Sequence, residues 1–349
     1  MLRRRDVLRG ASYGALWAAA GPSTYVFAQE NSVTVTANGG KWEQSIREHF
    51  VPHFKKRTGA EVKVVVGTPP QWMAQIDAQR SRPSIDTLCN SETLAISLMQ
   101  KGLTQPLTVE KVPNLKDIPD QFRKPFNDHG ASFLYSTAGL FYNKQRIKDV
   151  PKTWPEFFER TARGDFGQTV ALPDISYGWT PQFLWHYAQA LGGGIKNFDP
   201  AFEALKKMKK NVVKFYSTGP EVERLISAQE ADIGILWDGR TTALADETPF
   251  LGFTRPGPNS LLSLSIAQVV KGGNERLAYE WVNTMMAPEP QLQFFKLVNF
   301  APTNKTVVIP PELKERAAPL DIGVTAPYTE LTQVTPTLVD RWNREIRGG

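Results

Sequence analysis

A tryptophan, an aspartate and an arginine stand close together at the end of an apolar run. The run Ala231–Leu236 has the length and composition of a buried strand, and Trp237, Asp238 and Arg240 follow it. An indole ring stacks on a cationic or planar ligand, a carboxylate pairs with an amine, and a guanidinium pairs with a carboxylate or phosphonate. The same residues also fit a core tryptophan followed by an ordinary Asp-Gly turn. They therefore define a candidate binding site whose charge preference stays open.

Similar residues stand where other predicted strands and helices meet. Glycines let backbone N–H groups approach a ligand at a helix N-terminus, and a serine or asparagine side chain can hydrogen-bond to it. Each position has a plainer interpretation, because such glycines often only turn the chain, serines often cap helices, and aromatic residues often anchor cores. The candidates are Gly40, Lys41 and Trp42 after the first strand, Asn90 and Ser91 after the third, Tyr177 and Trp179 after the strand 169–174, and Ser217 before the helix that leads to Trp237.

Alternating strands and helices would bring these junctions to one edge of a sheet. Strands over 33–37, 61–67 and 85–89, each followed by a helix, predict a parallel sheet with right-handed crossovers and an α/β fold class. Ligands bind at the carboxyl ends of the strands in such sheets. Two longer β-like runs, Ala131–Asn143 and Ser263–Val270, are interpreted as the chain crossing from one lobe to a second lobe and back.

The first 28 residues have the layout of an export signal. Four arginines precede a modestly apolar stretch over 10–20, and small residues around Ala28 predict cleavage there. Arg4-Arg5-Asp6-Val7-Leu8-Arg9 is similar to the twin-arginine motif. The apolar stretch is about half of the ~20 residues that a membrane span needs, which argues against an anchor. We therefore expect a periplasmic protein.

Composition argues against three other functions. The formal charge is +6, but the leader holds four arginines and one aspartate, so the remainder is too weakly basic for nucleic-acid binding. A cysteine-based metal site is excluded by the single Cys89, which we interpret as a core residue. The four histidines show no convincing ligand spacing, since His49 and His53, which share a helix face, are interpreted as solvated. The one Gly-x-Ser-x-Gly spacing, Gly10-Ala11-Ser12-Tyr13-Gly14, falls inside the leader, and the chain contains no His-Glu-x-x-His helix, so we expect no enzyme activity.

In the order and the residues of several motifs, the chain resembles the extracellular solute-binding proteins of ABC importers, in particular the spermidine/putrescine-like branch. The similarity extends over essentially all of residues 31–320. It rests on Ile85-Asp86-Thr87-Leu88, Tyr142-Asn143-Lys144, Thr153-Trp154-Pro155-Glu156-Phe157, Val170-Ala171-Leu172-Pro173-Asp174, Gly234-Ile235-Leu236-Trp237-Asp238-Gly239-Arg240, Ser263-Leu264-Ser265-Ile266 and Ala301-Pro302-Thr303-Asn304.

This resemblance implies the type II periplasmic-binding-protein fold, with two α/β lobes that close on a solute in the cleft between them. Lobe 1 is expected to comprise 31–137 plus about 267–305, and lobe 2 to comprise 138–266 plus about 306–349. The resemblance implies delivery of the solute to the transmembrane subunits of an ABC permease. We expect a monomer that carries no cofactor and no metal.

The resemblance favours a polyamine-like or other amine as the solute, with Trp237 facing the cleft and Asp238 beside it. Polyamine-binding members also use carboxylates at two places that are occupied here by Tyr177 with Gly178 and by Leu262. Lys41 or Arg240 would instead favour a carboxylate or phosphonate. Ferric-ion or thiamine binding and a sensory role stay open as alternatives, although the Tyr-Tyr pair of iron binders is missing.

Overall fold

Strands and helices alternate through most of the chain. The computed structural model describes residues 31–257, 259–318, 320 and 322–348, so the predicted leader lies outside the described residues. The strands are β1 Ser32–Ala37, β2 Glu61–Val66, β3 Thr87–Asn90, β4 Thr104–Gln105, β5 Ala131–Asn143, β6 Val170–Pro173, β7 Val212–Tyr216, β8 Ile233–Trp237, β9 Leu251–Thr254, β10 Ser260–Val270, β11 Ala301–Pro302 and β12 Gly323–Val324. The helices are α1 Lys41–Ser45, α2 Val51–Thr58, α3 Pro69–Ala78, α4 Glu92–Gln100, α5 Trp154–Arg163, α6 Thr180–Ala190, α7 Asp199–Met208, α8 Gly219–Ser227, α9 Asp238–Ala245, α10 Glu275–Met285, α11 Pro288–Val298 and α12 Tyr328–Trp342. None of these helices combines the length and hydrophobicity that crossing a bilayer requires.

The strands form two parallel groups joined by two long central strands. The order across the sheet is β2-β1-β3-β10-β5-β8-β6-β7. Strand β1 runs parallel to β2 and β3, and this group forms the sheet of lobe 1. Strand β6 runs parallel to β7 and β8, and this group forms the sheet of lobe 2. The α/β class and the two-lobe architecture are as expected from the sequence.

Strands β5 and β10 pass from one lobe to the other. The first half of β5 pairs with β10 from Ala131 to Thr137, and the second half pairs with β8 from Ala138 to Tyr142. Both strands are almost completely buried along their length, which explains their continuous apolar and small-residue composition. The interpretation of the two long runs as crossing strands is confirmed, although β10 begins at Ser260 rather than Ser263. The residue boundaries of the two lobes stay predictions.

The first helical segment shows how the chain positions Trp42. Pro52 has no N–H to donate, and the turn before it widens to a π-helix over Ile46–Phe50. The N–H of Val51 bonds the carbonyl of Ile46, five residues earlier. This break lets α1 and α2 present Trp42, Ile46 and Phe50 to one core.

The C-terminal helix contacts both lobes. Helix α12 packs against α4 of lobe 1 and against α6 of lobe 2. Its buried residues include Tyr328, Leu331 and Trp342. The segment after residue 306 therefore contacts both lobes.

Candidate functional site

A small cavity of about 50 Å³ lies between the lobes, where strands of both lobes end. Most of the residues predicted from the sequence to bind a ligand line it. Lobe 1 contributes Trp42, Asn90 and Ser91, and lobe 2 contributes Tyr177, Trp179, Trp237 and Arg240. Their convergence follows from the topology, because β3, β6 and β8 present their carboxyl ends to the same cleft.

Aromatic rings form the lobe 2 wall of the cavity. Trp237 is 2% exposed and stacks on Phe183, with ring centroids 4.8 Å apart and an interplanar angle of 29°. Trp179 meets Trp237 edge to face at 6.3 Å, and Tyr177 lies 5.4 Å from Trp179. Burial raises the pKa of the Tyr177 phenol, so it stays neutral and can donate a hydrogen bond. The rings of the wall thus pack on one another.

Trp42 faces this wall from lobe 1. Its ring packs edge to face on Phe294 at 4.7 Å and on Phe300 at 5.5 Å. The indole N–H groups of Trp42 and Trp237 are buried without a hydrogen-bond partner in the described part of the chain. Buried donors without partners are costly, and a bound acceptor would satisfy them.

Asn90 and Ser91 supply polar groups from lobe 1. The Asn90 amide donates to Gln268 Oε1 at 3.1 Å, whereas Asn90 Oδ1 is buried without a partner among the described residues. Ser91 precedes α4, but its side chain makes no cap hydrogen bond there. The plainer interpretation of Ser91 as a side-chain cap therefore does not hold, and its hydroxyl lines the cavity.

Arg240 is the one charged side chain that lines this cavity in the described residues. Its Nη1 donates to Glu223 Oε1 at 2.7 Å, and this pair is about one-third exposed. Arg240 comes from the first turn of α9, so the strand end of β8 and the start of this helix together aim it at the cleft.

An outer pocket of about 360 Å³ adjoins the cavity and shares Asn38, Trp42, Arg240 and Phe300 with it. Gly40 and Lys41 line this outer pocket rather than the inner cavity. Gly40 has φ 72°, a left-handed conformation that glycine adopts without strain at the start of α1. Lys41 Nζ lies 3.3 Å from Glu247 Oε1 of lobe 2, so this ion pair bridges the mouth of the cleft.

Asp238 requires a correction, because its carboxylate is occupied by protein groups. It accepts hydrogen bonds from Ser136 Oγ, from Thr137 N at 3.0 Å and Oγ1 at 2.6 Å, and from Arg255 Nη2 at 2.8 Å. The side chain is buried and lines neither pocket. These contacts leave no oxygen free for an amine ligand. Asp238 instead ties the start of α9 to the crossing strand β5.

The Asp-Gly pair is also not a simple turn, since it begins α9. A Cβ on Gly239 would lie 2.8 Å from the Asn299 carbonyl oxygen and 2.7 Å from the Phe300 ring. Glycine is needed there because the segment before β11 packs directly on the helix backbone.

Ser217 also requires a correction, because it is exposed and lines neither pocket. Its hydroxyl accepts a hydrogen bond from Ser176 Oγ at 2.9 Å. The N-terminus of α8 is capped by the neighbouring Thr218, whose Oγ1 accepts from Glu221 N. Thr218 is thus the cap.

Sequence reasoning missed several residues of the cavity. Ser263 and Ser265 line it from one face of β10, and their i, i+2 spacing between leucines was the available signal. Cys89, interpreted as a core residue, is buried yet also lines the cavity, and burial raises the pKa of its thiol. Asn38, Pro69 and Phe300 complete the lining.

A larger depression of about 810 Å³ lies elsewhere, lined by Trp154, Trp185 and His186 among others. It includes none of the strand-end residues that meet between the lobes. The smaller cavity is therefore the candidate binding site. In the described ranges, no three His, Cys, Asp or Glu side chains are grouped so as to hold a metal ion.

Two α/β lobes with a ligand cleft between them define a solute-binding protein, and comparison with known proteins agrees. The chain matches the family described as bacterial extracellular solute-binding protein over residues 50–319, and it belongs to that family. It is therefore the periplasmic, non-enzymatic solute-binding component of an ABC transporter, which confirms the class predicted from the sequence.

Relatives with different names share this architecture. The spermidine/putrescine-binding periplasmic protein of Salmonella typhimurium is 20% identical over 279 residues, covering 75% of this chain and 76% of that protein. The crystal structure of a putative extracellular solute-binding protein from Bordetella parapertussis matches this fold with a TM-score of 0.81. Its sequence is 28% identical, and the match covers 90% of this chain and 99% of that one. The PBP AgtB of A. tumefaciens R10, in complex with agropinic acid, is 17% identical with a TM-score of 0.70, covering 90% of this chain and 98% of that one.

Proposed function

We propose that this protein captures a small solute that carries a carboxylate, phosphate or phosphonate group. The observation that supports this proposal is the charge of the cavity lining, in which Arg240 is the one charged side chain among the described residues. A guanidinium binds such anions through paired hydrogen bonds. The amine favoured by the sequence resemblance would meet no carboxylate in the inner cavity, because Asp238 is bonded to Ser136, Thr137 and Arg255. The two carboxylates of the outer pocket, Glu223 and Glu247, are paired with Arg240 and Lys41.

The named relatives do not decide the charge of the solute. One is named for polyamines and another was solved with an organic acid, and both share only about one residue in five with this chain. The choice depends on this chain's own side chains. Besides Arg240, the lining offers the indole N–H groups of Trp42 and Trp237 and the hydroxyls of Ser91 and Tyr177. Donors of this kind suit a solute rich in acceptor oxygens.

The volume favours a compact solute. A water molecule needs roughly 10–15 Å³ of cavity measured in this way, so 50 Å³ accommodates roughly four such groups. Because Arg240 lines both the inner cavity and the outer pocket, the anionic group binds where they meet. The remainder of the solute lies against the aromatic wall formed by Trp179 and Trp237.

Capture follows from closure of the two lobes. The solute binds to one lobe, the other lobe closes over it, and the Lys41–Glu247 ion pair forms across the mouth. The closed form then delivers the solute to the permease. We expect the protein to act as a monomer after export and cleavage of its leader.

A thermal-shift panel tests the charge of the solute. Small carboxylates, amino-acid-like compounds, sugar phosphates, phosphonates, polyamines, thiamine and ferric ion are each added to the mature protein. We expect stabilisation by an anionic compound, with an affinity reduced ~10-fold or more in Arg240→Gln, since a charged hydrogen bond contributes about 1.5–3 kcal/mol. Arg224→Gln is the matched control, because Arg224 forms a similar exposed pair with Glu230 away from the cleft. Stabilisation by polyamines alone, unchanged in Arg240→Gln, would refute the proposal.

A further inference from the structure

A carboxyl group without a cation lies at the junction of the two lobes. Glu92 is the first residue of α4, next to Ser91, and its side chain is 0% exposed. It lines neither the cavity nor the outer pocket. Solute binding as described above does not use it, so its burial needs a separate explanation.

Three elements from different parts of the chain surround this carboxyl group. Gln182 Nε2 of α6 donates to Glu92 Oε2 at 2.9 Å, which joins lobe 1 to lobe 2. The backbone N–H of Leu264 on the crossing strand β10 donates to Oε1. The Tyr328 hydroxyl of α12 and the indole N–H of Trp179 also lie beside the carboxyl group. Glu92 thus contacts both lobes, a crossing strand and the C-terminal helix.

Complete burial without a cation indicates that this group carries a proton. No lysine, arginine or histidine of the described chain forms an ion pair with Glu92, and an unpaired buried carboxylate is strongly disfavoured. Gln182 Oε1 is buried without a donor in the same part of the chain. A carboxylate can only accept, whereas a carboxylic acid has an O–H to donate. The proton supplies the donor that the Gln182 oxygen lacks.

We propose that Glu92 is a neutral carboxylic acid in the closed protein, that it forms an acid–amide pair with Gln182 across the lobes, and that lobe closure therefore takes up a proton. Glu92 acts as a positioning residue for Trp179, a cavity-lining side chain that interacts with its carboxyl group, and does not touch the solute. This inference does not depend on which solute binds. Burial raises the pKa of Glu92 from 4.5 to about 7, because desolvation of the carboxylate outweighs the hydrogen bonds from Gln182, Leu264 and Trp179, which lower the pKa.

The sign of the pH dependence follows from a raised pKa. When the lobes separate, water reaches the carboxyl group and its pKa returns towards 4.5. Closure is then most favourable below pH 4.5, weakens as the pH rises from 4.5 to about 7, and changes no further above that. The groups that face Glu92 do not titrate in this window: Gln182 and Trp179 carry no titrating proton, Leu264 contributes its backbone, and burial holds the pKa of Tyr328 well above its ordinary value.

Glu92→Gln tests the proposal, because the amide has the shape of the protonated acid and, like it, is uncharged, but stays uncharged at every pH. Urea unfolding of the mature protein is measured at pH 5, 6, 7 and 8. We expect variant and wild type to agree near pH 5 and the unfolding equilibrium constant of wild type to exceed that of the variant by at least tenfold at pH 8. Small-angle scattering is expected to show a larger radius of gyration for wild type, and not for the variant, at the higher pH. Asp232→Asn is the matched control, because that buried carboxylate pairs with Arg146 at 3.0 Å and its loss is expected to destabilise the protein at neutral pH.

Three results would overturn the proposal. Parallel pH profiles of wild type and Glu92→Gln would show that Glu92 does not gain a proton on folding. A variant less stable than wild type at pH 8 would show that Glu92 functions as a carboxylate. If stability follows the expected pH profile but the radius of gyration does not change, proton uptake is not coupled to lobe closure. A carbon-13 NMR titration of the glutamate carboxyls in wild type gives the same test without a variant, and the absence of a group titrating near pH 7 would also refute the idea.

Discussion

Replacing Asp238 by asparagine tests whether this carboxylate stabilises the fold or binds the ligand. The change keeps the size of the side chain but removes its charge, and it turns one acceptor oxygen into an N–H₂ donor that faces other donors. Ser136 Oγ, Thr137 Oγ1 and Arg255 Nη2 all donate to this carboxylate, so at least one of them loses its partner. Arg255 keeps its charge without a counterion.

The expected loss can be worked out from burial. Breaking a buried, hydrogen-bonded ion pair costs about 3–5 kcal/mol. The side chain of Asp238 is 3% exposed, but that of Arg255 is 20% exposed and can be partly hydrated, so we take the lower end, about 3 kcal/mol. The unfolding entropy of a chain of this length is about 0.7 kcal/mol per kelvin, which converts this loss into a fall in Tm of about 4–5 °C.

Differential scanning calorimetry of Asp238→Asn with and without the stabilising solute provides the assay. We expect the lower Tm, with the additional shift caused by the solute unchanged. Glu223→Gln is the control, since its pair with Arg240 is about one-third exposed and its loss is expected to cost less than about 1 kcal/mol. If Asp238→Asn instead keeps its Tm and loses the response to solute, the carboxylate faces the ligand and the reasoning is wrong.

Two further predictions concern access to the cleft. The single Cys89 lines the cavity and is buried, so we expect a thiol reagent to label it slowly, and more slowly still with solute present. After unfolding, the reagent is expected to label one thiol per chain. Fast labelling that solute does not change would contradict this prediction. For Lys41 and Glu247, which are 52% and 71% exposed, a double-mutant cycle on solute affinity is expected to give a coupling energy of at most about 0.5 kcal/mol, and a value above about 2 kcal/mol would show that the pair is desolvated in the bound state.

The sequence predicted the elements of this fold well because their signals are local. The boundaries of β5 agree with the predicted run Ala131–Asn143, since its small and apolar residues continue without interruption. The position of Trp237 at the end of β8 also followed from the apolar run before it. The residues next to a strand in the sequence determine where the strand ends.

The direction of the charged side chains could not be predicted in the same way. Asp238 and Arg240 are two residues apart, yet one faces the crossing strand and the other faces the cleft. The difference comes from Ser136 and Thr137, about a hundred residues earlier, and from Arg255, and nothing near Asp238 indicates these partners. Glu92 is similar, because its partners Gln182 and Leu264 are 90 and 172 residues away. Electrostatic environment depends on tertiary contacts that a single sequence does not display.

The central position of β10 has a consequence for how the chain folds. In lobe 1 this strand lies between β3 and β5, so Thr87–Asn90 and Ala131–Thr137 are connected through the sheet when Ser260–Val270 pairs with both of them. Most of the chain, including the strands of lobe 2, must therefore leave the ribosome before the lobe 1 sheet can be completed. Pairing across such sequence distances is entropically costly and slow. We expect refolding to be limited by docking of β10, with the parallel group β1 to β3 exposing an unpaired edge until that step.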